Sequence, residues 1–330
     1  MNGLKSFKDR LKFVNENSFN DFSIDLFHFQ FENNPVYQKY VRSLDINPES
    51  VQGLNEIPFI PISLFKHHKI KTLDWHPDFI FESSGTSGLR SSKHFIEDNN
   101  FYKDISSSIF TQFYGNPEDY IILALLPSYL ERNNSSLVYM VNYLIELTGS
   151  EHSGFYLSNL NELKKKIDFL RTSEVKPIML WGVTFALLDF ADNHTLNMEN
   201  MIIVETGGMK GRSEEIIRSD LHEQLFEKLH VSSIHSEYGM TELLSQAYAV
   251  DSEKFRCPPW MKVLVREIND PFCLVPAGQQ GVLNIIDLAN IHSCAFIATE
   301  DLGRVYPDGS FEVLGRLDNS DMRGCNLLLS

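Results

Sequence analysis

Apolar residues in this chain form two kinds of pattern, one typical of helices and the other typical of buried strands. Over residues 6–45 they recur at mixed helical spacings, which predicts a helical N-terminal lobe. Further along, short apolar runs of strand length occur at residues 79–81, 120–126, 177–181, 201–205 and 231–236. The chain is therefore predicted to begin with helices and to continue with several buried strands.

Helical patterns lie between these predicted strands. The clearest covers residues 213–229, where Ser213 can cap the first turn. One face of that helix would carry Ile216, Ile217, Leu221, Leu225 and Leu229. Alternating strands and helices predict an α/β fold with a mostly parallel sheet flanked by helices.

Two stretches depart from this alternation. Residues 57–61 hold two prolines, and each biases the residue before it away from helix, which predicts an extended linker or edge connection. From Lys262 onward, strand segments are separated by turns at residues 276–278, at residues 307–309 and at Gly315. That pattern predicts a β-rich final lobe.

The length of 330 residues exceeds the usual limit for a single hydrophobic core. We therefore expect one large domain over residues 1–330 made of lobes with a cleft between them. The helical lobe would end near residue 75, the α/β lobe would cover residues 76–250, and the β-rich lobe would cover residues 251–330. Hydrophobic residues make up 43% and charged residues 22%, which is typical of globular chains and excludes a disordered or fibrous one.

The formal net charge of −15 argues against nucleic acid as a partner, because contact with a phosphate backbone needs clustered Lys and Arg. The chain shows no secretory signal and no apolar run of membrane-spanning length, so we expect a cytoplasmic protein. Cys257, Cys273, Cys294 and Cys325 lack close pairing, which indicates reduced thiols. No C-x-x-C or H-E-x-x-H spacing occurs, so the first three are interpreted as core thiols and His235 as a partnered core histidine.

The stretch Ser83-Ser84-Gly85-Thr86-Ser87-Gly88 follows the first predicted strand. Its glycines let the backbone approach a polyphosphate, its N–H and O–H groups can donate to one, and Arg90 and Lys93 supply cations nearby. A serine-rich surface turn is the alternative interpretation of this stretch. The stretch does not match G-x-x-x-x-G-K-[ST], so P-loop NTPases are disfavoured.

Two further stretches sit beside predicted strands. Glu205-Thr206-Gly207-Gly208 closes one strand and opens a helix, which is where ligands bind in open α/β sheets. Tyr238-Gly239-Met240-Thr241-Glu242 comes after the strand at residues 231–236, and it offers a flat ring for a purine and oxygens suited to phosphate and Mg²⁺. Read alone, the first is equally well explained as a tight strand-to-helix turn, and the second is better explained as such a turn with a surface carboxylate.

In their order, these stretches resemble the successive signatures of the adenylate-forming superfamily, which includes acyl-CoA synthetases and phenylacetate-CoA ligases. Thr299-Glu300-Asp301 and Gly315-Arg316-Leu317-Asp318 complete the series. Within the superfamily the chain is most similar to the acyl-protein synthetases of bacterial luminescence systems, which activate fatty acids for reduction to aldehyde. That similarity rests on Ile57-Pro58-Phe59-Ile60-Pro61-Ile62-Ser63-Leu64-Phe65-Lys66, on Pro258-Pro259-Trp260 and on Arg323-Gly324-Cys325.

The resemblance implies ATP and Mg²⁺ as cofactors and a role for each matching position. The nucleotide-binding positions would be Ser83, Ser84, Gly85, Thr86, Ser87, Gly88, Lys93, Gly207, Gly208, Tyr238, Gly239, Met240, Thr241, Asp301 and Arg316. Tyr238 would pack on adenine, Asp301 would bind the ribose hydroxyls, and Arg316 would lie near ribose or phosphate. Thr86 and Glu242 would be catalytic, with Glu242 as the Mg²⁺ ligand.

Two departures from the family pattern bear on the mechanism. The usual Thr-Gly-Asp is Thr-Glu-Asp here, and the chain stops at Ser330, so we expect the small mobile C-terminal domain of acyl-CoA synthetases to be absent. The acyl group then needs another acceptor, and the resemblance makes Cys325 a catalytic candidate whose thiolate Arg323 could favour. A buried inert cysteine is the equally weighted alternative.

The resulting expectation is an enzyme that activates a carboxylic acid as acyl-AMP and then transfers the acyl group to a thiol. The resemblance implies a fatty acid as the substrate and a reductase or an acyl carrier as a possible partner. The chain holds 24 Phe residues, enough to line an apolar acid pocket. Two alternatives stay open: a CoA ligase of the phenylacetate type, and a non-catalytic nucleotide- or acyl-binding scaffold.

Overall fold

The computed structural model of the protein describes residues 2–83, 90–127, 134–156, 159–173, 176–194, 196–207, 218–250 and 253–317. Three helices open the chain: α1 (Asn2–Leu11), α2 (Glu16–Asn33) and α3 (Pro35–Ser43). Asn15 caps α2, and Asn34 caps α3, each by accepting backbone N–H groups of the first turn. The helices predicted over residues 6–45 are confirmed.

The segment after α3 is not a free linker. Ile60 and Pro61 form the short strand β1 (Ile60–Pro61). Strands β2 (Phe79–Glu82) and β3 (Lys93–Ile96) then form a separate two-stranded antiparallel sheet. The strand predicted at residues 79–81 exists, but its assignment to the parallel sheet was wrong, because it pairs antiparallel with β3 and not with a strand of the six-stranded sheet.

A six-stranded sheet contains the other predicted apolar runs. Its strands are β4 (Ile121–Leu125), β5 (Gly154–Phe155), β6 (Ile178–Gly182), β7 (Met201–Glu205), β8 (Ser233–Tyr238) and β9 (Ala247–Ala249). They lie in the order β5-β4-β6-β7-β8-β9, and every pair is parallel except β8 with β9. The mostly parallel sheet is therefore confirmed.

Helices connect and flank these strands. They are α4 (Asn99–Tyr114), α5 (Ser136–Thr148), α6 (Leu160–Ser173), α7 (Thr184–Asn193) and α8 (Arg218–Leu229). The leucines predicted on the inner face of the helix at 213–229 are buried on α8: Leu221, Leu225 and Leu229. Ser213, Ile216 and Ile217 lie outside the described residues.

The structure corrects the end of one predicted strand. The strand predicted at residues 231–236 runs two residues further as β8, so Glu237 and Tyr238 belong to it and not to a turn. Among the described residues, the next element is the antiparallel strand β9 and not a helix. Adjacent strand residues point to opposite faces, so Glu237 and Tyr238 project to opposite sides of the sheet.

A five-stranded sheet forms the last part of the described chain. Strands β10 (Met261–Arg266), β11 (Gln280–Asp287), β12 (Phe296–Val305) and β13 (Phe311–Arg316) pair antiparallel in sequence, and β1 pairs parallel with β12. The β-rich character predicted from Lys262 is confirmed, and the turns at Gly278 and Gly309 have positive φ angles of 88° and 79°. Gly315 is not in a turn: it lies inside β13 with φ of 140°, opposite a register shift of β12.

None of the described helices is both long and apolar enough to cross a membrane.

Candidate active site

Three of the predicted nucleotide-binding side chains meet where the two large sheets face each other. The Tyr238 hydroxyl donates a hydrogen bond to Asp301 Oδ2 at 2.7 Å, and Arg316 Nε donates to Asp301 Oδ1 at 3.2 Å. Asp301 and Arg316 are register partners on β12 and β13, while Tyr238 ends β8. The three side chains form one cluster, the Tyr238–Asp301–Arg316 cluster, although Asp301 and Arg316 are 63 and 78 positions from Tyr238 in sequence.

This cluster has a buried base and an exposed rim. The Asp301 side chain is 12% exposed, whereas the Arg316 side chain is 65% exposed. Burial raises the pKa of Tyr238, and the charge of Asp301 raises it further, so the phenol stays protonated as the donor. The Asp301 carboxylate thus has one buried neutral donor, the Tyr238 hydroxyl, and one exposed cationic donor, Arg316. An ionised carboxylate can accept more than two hydrogen bonds, so it can also accept sugar hydroxyls.

Aromatic rings enclose Tyr238. Its ring centroid lies 5.8 Å from that of Phe255 and 5.4 Å from that of Phe311, which crosses it edge to face. The Arg218 guanidinium lies 4.2 Å from the centre of the Phe255 ring. The same guanidinium lies 3.5 Å from Glu205 Oε1, so the end of β7 connects to the cluster through Phe255.

The glycine stretch after β7 is shaped by Glu205. Gly207 has a positive φ of 66°, and its N–H donates to Glu205 Oε2 at 2.8 Å. A Cβ added to Gly207 would meet no atom within 4 Å, so conformation and not crowding favours glycine here. Gly207 therefore opens the strand end toward solvent, as a ligand crevice at the carboxyl edge of a parallel sheet requires. Gly208 lies outside the described residues.

Glu242, the predicted metal ligand, is 4% exposed. Burial raises the pKa of its carboxyl group, while a hydrogen bond with Ser92 and the charges of Arg316 and Lys66 act in the opposite direction. The net direction is upward. A divalent cation bound at this carboxyl group would favour its ionised form.

Two side chains that sequence analysis missed, His94 and Asn290, bind the backbone carbonyl groups of Thr241 and Glu242. His94 Nδ1 lies 2.8 Å from the Thr241 carbonyl oxygen, and Asn290 Nδ2 donates to the Glu242 carbonyl at 2.7 Å. The two side chains also contact each other, with His94 Nε2 3.0 Å from Asn290 Oδ1. Burial lowers the pKa of His94 to about 4, so this histidine is neutral at pH 7.

Asp287 fixes the turn that follows Glu242. Its carboxylate accepts the backbone N–H groups of Leu244 and Ser245 at 2.8 and 3.0 Å and the Ser245 hydroxyl at 2.7 Å. The Ser245 hydroxyl in turn accepts from Trp260 Nε1 at 2.9 Å. Trp260 of the Pro-Pro-Trp signature, which directly precedes β10, thus supports the turn that follows Glu242.

Two cross-strand pairs close the base of the predicted phosphate loop. The Ser83 N–H donates to the Ser92 carbonyl at 3.1 Å, and the Ser92 N–H donates back to Ser83 Oγ at 2.9 Å. One step further down, Lys93 Nζ lies 3.0 Å from Glu82 Oε1. Lys93 therefore already has a carboxylate partner on β2, and a phosphate would share it with Glu82.

The remaining positions of the second signature lie beside a buried acid. Gly239 packs so closely that an added Cβ would lie 2.4 Å from Glu237 Oε1. Thr241 is half-buried, and the Met240 carbonyl accepts the N–H of Leu243 at 3.1 Å in the turn after β8. Burial, helped by the charge of Glu205, raises the pKa of Glu237 to about 8.

Several predicted site residues lie outside the described part of the chain. They are Ser84, Gly85, Thr86, Ser87, Gly88, Gly208 and Cys325. Of the other cysteines, Cys294 is buried and Cys257 is half-buried, and burial raises the pKa of each to about 12. The core interpretation is wrong for Cys273, which is exposed in the connection between β10 and β11. His235 is a partnered buried histidine as predicted, 2.6 Å from Ser233 Oγ and 3.2 Å from the Tyr114 hydroxyl.

The donor set fits Mg²⁺ bound mainly by a nucleotide. Within the described ranges, no three His, Cys, Asp or Glu side chains form a metal-binding group. Mg²⁺ is usually held by one or two carboxylates together with substrate phosphates and water, and Glu242 is a buried carboxylate of that kind. Glu242 would hold the ion and Ser92 would orient the carboxylate.

The chain shares its fold with two solved structures. A crystal structure of 2-hydroxyisobutyryl-CoA ligase with 2-HIB-AMP and CoA superposes with a TM-score of 0.69 at 13% identity, over 92% of this chain and 68% of that one. ATP-bound MatB from Rhodopseudomonas palustris superposes with a TM-score of 0.55 at 17% identity, over 74% of this chain. The match spans about half of the MatB chain, 50% of its length.

The chain belongs to the family described as acyl-protein synthetase, LuxE, whose model matches residues 11–330. Two relatives are named long-chain-fatty-acid--luciferin-component ligase. The one from Aliivibrio fischeri is 24% identical over 93% of this chain and 86% of its own length. The one from Vibrio harveyi is 25% identical over 92% of this chain and 85% of its own. The family predicted from the order of the motifs is therefore confirmed.

Sequence signals for the missed residues were present but weak. Asp287 and Asn290 are two of the five polar positions in a mostly apolar run between Val282 and Ile297; the others are Asn284, His292 and Ser293. Polar groups that are buried need partners, so such positions point to internal hydrogen bonding. Their partners on the turn after β8 lie 42 to 48 residues away in sequence, and His94 lies 196 residues from Asn290, which only the fold reveals.

Proposed function

We propose that the protein uses ATP and Mg²⁺ to convert a fatty acid to an acyl-adenylate and then transfers the acyl group to a thiol. The observation that carries the proposal is the Tyr238–Asp301–Arg316 cluster next to the buried carboxyl of Glu242. Family membership and the names of the two relatives support the acid and the ligase reaction. Free Cys257, Cys273 and Cys294 support a cytoplasmic location.

In the first step, a carboxylate oxygen of the acid attacks the α-phosphorus of ATP. A new P–O bond forms, the bond to the bridging oxygen breaks, and pyrophosphate leaves with its electrons. Bound Mg²⁺ would neutralise phosphate charge. No side chain forms a covalent bond in this step, so the positioning of the two substrates and electrostatic stabilisation contribute most of the rate.

Each described side chain has a defined task in this step. The Asp301 carboxylate accepts hydrogen bonds from the ribose hydroxyls. Tyr238 holds that carboxylate in place, and the edge of its ring contacts the adenine base. Arg316 reaches from the exposed rim toward ribose or phosphate. Glu242 holds the cation, and His94 and Asn290 fix the backbone that positions it.

In the second step, a thiolate attacks the acyl carbonyl carbon and AMP leaves. The proton of the thiol goes to solvent, and a thioester replaces the mixed anhydride. We propose Cys325 as this thiol, on the basis of the Arg323-Gly324-Cys325 resemblance. A reductase or an acyl carrier would then take the acyl group. Cys257 and Cys294 are poor alternatives because burial holds their pKa values near 12.

The first step is tested by ATP–pyrophosphate exchange with a panel of fatty and aromatic acids. Fatty acids should support exchange, and Glu242→Ala should abolish it in a protein that still folds. Glu223→Ala, an exposed acid on α8, is the matched control and should exchange normally. Exchange by folded Glu242→Ala at the wild-type rate would remove Glu242 from the mechanism.

The second step is tested by incubation with ATP, Mg²⁺ and a radiolabelled fatty acid. A hydroxylamine-sensitive label should map to Cys325, and Cys325→Ser should lose the label while keeping the exchange reaction. A serine hydroxyl has too high a pKa to replace the thiolate. If the wild-type protein stays unlabelled and releases acyl-CoA when CoA is supplied, Cys325 is not the acceptor and the protein is a CoA ligase.

A further inference from the structure

A cavity of about 570 Å³ lies on the five-stranded sheet, and its lining does not include Tyr238, Asp301 or Arg316. Its walls come from the end of α3, from the segment around β1, and from β10, β11 and β12. Its volume is within the range of small-molecule sites. Ala298, Thr299 and Glu300 of β12 line it, whereas the Asp301 carboxylate bonds to Tyr238.

Most of the cavity wall is apolar. Its aliphatic and aromatic contributors include Leu44, Ile46, Ile57, Phe59, Phe272 and Leu274. Phe272 is 56% exposed, which is unusual for so large an apolar side chain. An elongated hydrocarbon chain is the ligand that such walls stabilise, because binding removes apolar surface from water on both partners.

One cation interrupts this apolar wall. Arg266 is half-buried, and both of its hydrogen bonds go to neutral oxygens: Nε donates to Asn284 Oδ1 at 3.1 Å and Nη2 donates to the Thr299 carbonyl at 2.9 Å. No carboxylate of the described chain lies within ion-pair distance of it. Burial lowers the pKa of Arg266, although electrostatic interactions with Tyr40 and Glu300 act against that effect.

A half-buried guanidinium with free donor capacity favours an anionic partner. Guanidinium groups bind carboxylates with two parallel hydrogen bonds, and such charge-assisted bonds are stronger than neutral ones. Of the acidic side chains that line the cavity, Glu56 accepts the backbone N–H groups of Gln52 and Gly53 through Oε2 at 2.7 and 3.1 Å, and Glu300 stays beyond ion-pair distance of Arg266. A carboxylate supplied by a ligand would complete the arrangement.

We propose that this cavity binds a molecule of a long-chain alkyl carboxylate, with its head on Arg266 and its chain along the apolar wall. The inference goes beyond the proposed function, since this molecule is not the one that reacts. None of the three residues of the Tyr238–Asp301–Arg316 cluster lines the cavity. The protein thus has two fatty-acid sites, one at the reaction centre and one here.

The experiment is equilibrium binding of radiolabelled dodecanoate to the full chain, below the micellar concentration and in the absence of nucleotide. Arg266→Met keeps the length of the side chain and removes its charge. Ala298→Phe fills the cavity from a half-buried strand position. Arg256→Met, at an exposed arginine paired with Asp308, is the control. Thermal melting shows which variants are folded.

The wild-type protein and the control should bind dodecanoate at two sites. Each cavity variant should lose one site, with affinity for that site falling about tenfold or more in Arg266→Met. Dodecanol should bind the wild type and Arg266→Met alike. If Arg266→Met does not fold, Ala298→Phe carries the test alone.

Exchange activity separates this inference from the proposed function. Both cavity variants should retain fatty-acid-dependent ATP–pyrophosphate exchange. Loss of exchange together with binding would make the cavity the substrate site and overturn the second-site inference, as would unchanged binding in both variants. Absence of exchange in every protein, with the predicted binding pattern intact, would instead reject the proposed function alone.

Discussion

At the scale of single residues, the candidate site depends on buried polar groups whose partners come from distant parts of the chain. Tyr238, Asp301 and Arg316 were each predicted from a motif, and the structure shows which atoms join them. His94 and Asn290 were not predicted, since a buried histidine or asparagine has no local sequence pattern that reveals its partner. Their role follows only from their contacts with the backbone of Thr241 and Glu242.

Tyr238→Phe should weaken both stability and ATP use. The change leaves a largely buried oxygen of Asp301 without its donor, which costs about 1–3 kcal/mol of unfolding free energy. Asp301 also loses its orientation, so KM for ATP should rise several-fold more than kcat falls. Urea denaturation and exchange kinetics measure the two effects.

Tyr120→Phe is the matched control for that change. Its hydroxyl donates to the Tyr114 carbonyl at 2.7 Å, away from the cluster. It should lose some stability and keep the wild-type KM for ATP. Equal changes in KM for both variants would show that Tyr238 has no specific role.

Glu237 should make stability fall as the pH rises. Its pKa is about 8 in the folded protein against an ordinary value of 4.5, so between these values the folded state holds a proton that the unfolded state has released. The unfolded state then binds fewer protons, and unfolding free energy declines by up to about 1.4 kcal/mol per pH unit from this group. The loss is complete above the folded pKa.

Glu237→Gln keeps the shape and removes the titration. Urea denaturation at pH 5, 6, 7 and 8 should show a shallower decline for the variant than for the wild type. The difference between the two curves isolates Glu237 from other carboxyl groups. Parallel curves would show that the Glu237 pKa is close to its ordinary value.

At the scale of elements, apolar runs predicted the strands of the six-stranded sheet because these strands are buried on both faces. Four of the five runs lie in it, at β4, β6, β7 and β8. The fifth run became β2 of the antiparallel hairpin, since strand patterns do not encode the direction of pairing. The end of β8 was also missed, because Glu237 and Tyr238 are polar residues in a buried strand.

The β2–β3 hairpin should control the phosphate loop through its closing pair. Ser83→Ala removes the oxygen that accepts the Ser92 N–H and should cost about 1 kcal/mol of stability. Because the predicted phosphate-binding stretch directly follows Ser83 in sequence, KM for ATP should rise a few-fold. Exchange kinetics at varied ATP concentration measure the effect.

Ser43→Ala provides the comparison for the hairpin variant. The Ser43 hydroxyl donates to the Tyr40 carbonyl at 2.7 Å on an exposed helix end. Its KM for ATP should equal that of the wild type. A Ser83→Ala protein with the same KM as Ser43→Ala would contradict control of the loop by the hairpin.

At the scale of the whole molecule, the N-terminal helices support the site through one buried side chain. Gln30 of α2 donates to the carbonyl groups of Asn290 and Ile291 at 2.9 and 3.1 Å and accepts the N–H of Ala295 at 2.9 Å. Asn290 in turn donates to the Glu242 carbonyl. The family could be predicted from the order of its motifs, but this connection between the first helices and Glu242 could not.

Gln30→Ala should destabilise the whole protein and reduce exchange. The variant leaves three buried backbone groups without partners and opens a cavity, so unfolding free energy should fall by about 3 kcal/mol or more. Circular dichroism and tryptophan fluorescence should report one shared transition. Gln38→Ala, whose amide donates to the Phe31 carbonyl in a half-buried position, should change little. Separate transitions for the two probes would contradict a single cooperative unit.

The most direct test of the central claim follows oxygen atoms through the first step. A fatty acid labelled with ¹⁸O in both carboxylate oxygens is incubated with ATP, Mg²⁺ and the protein, and the nucleotide product is analysed by mass spectrometry. If a carboxylate oxygen attacks the α-phosphorus, AMP should gain one ¹⁸O atom when the acyl group leaves. Appearance of the label in inorganic phosphate, with ADP as the nucleotide product, would contradict an acyl-adenylate.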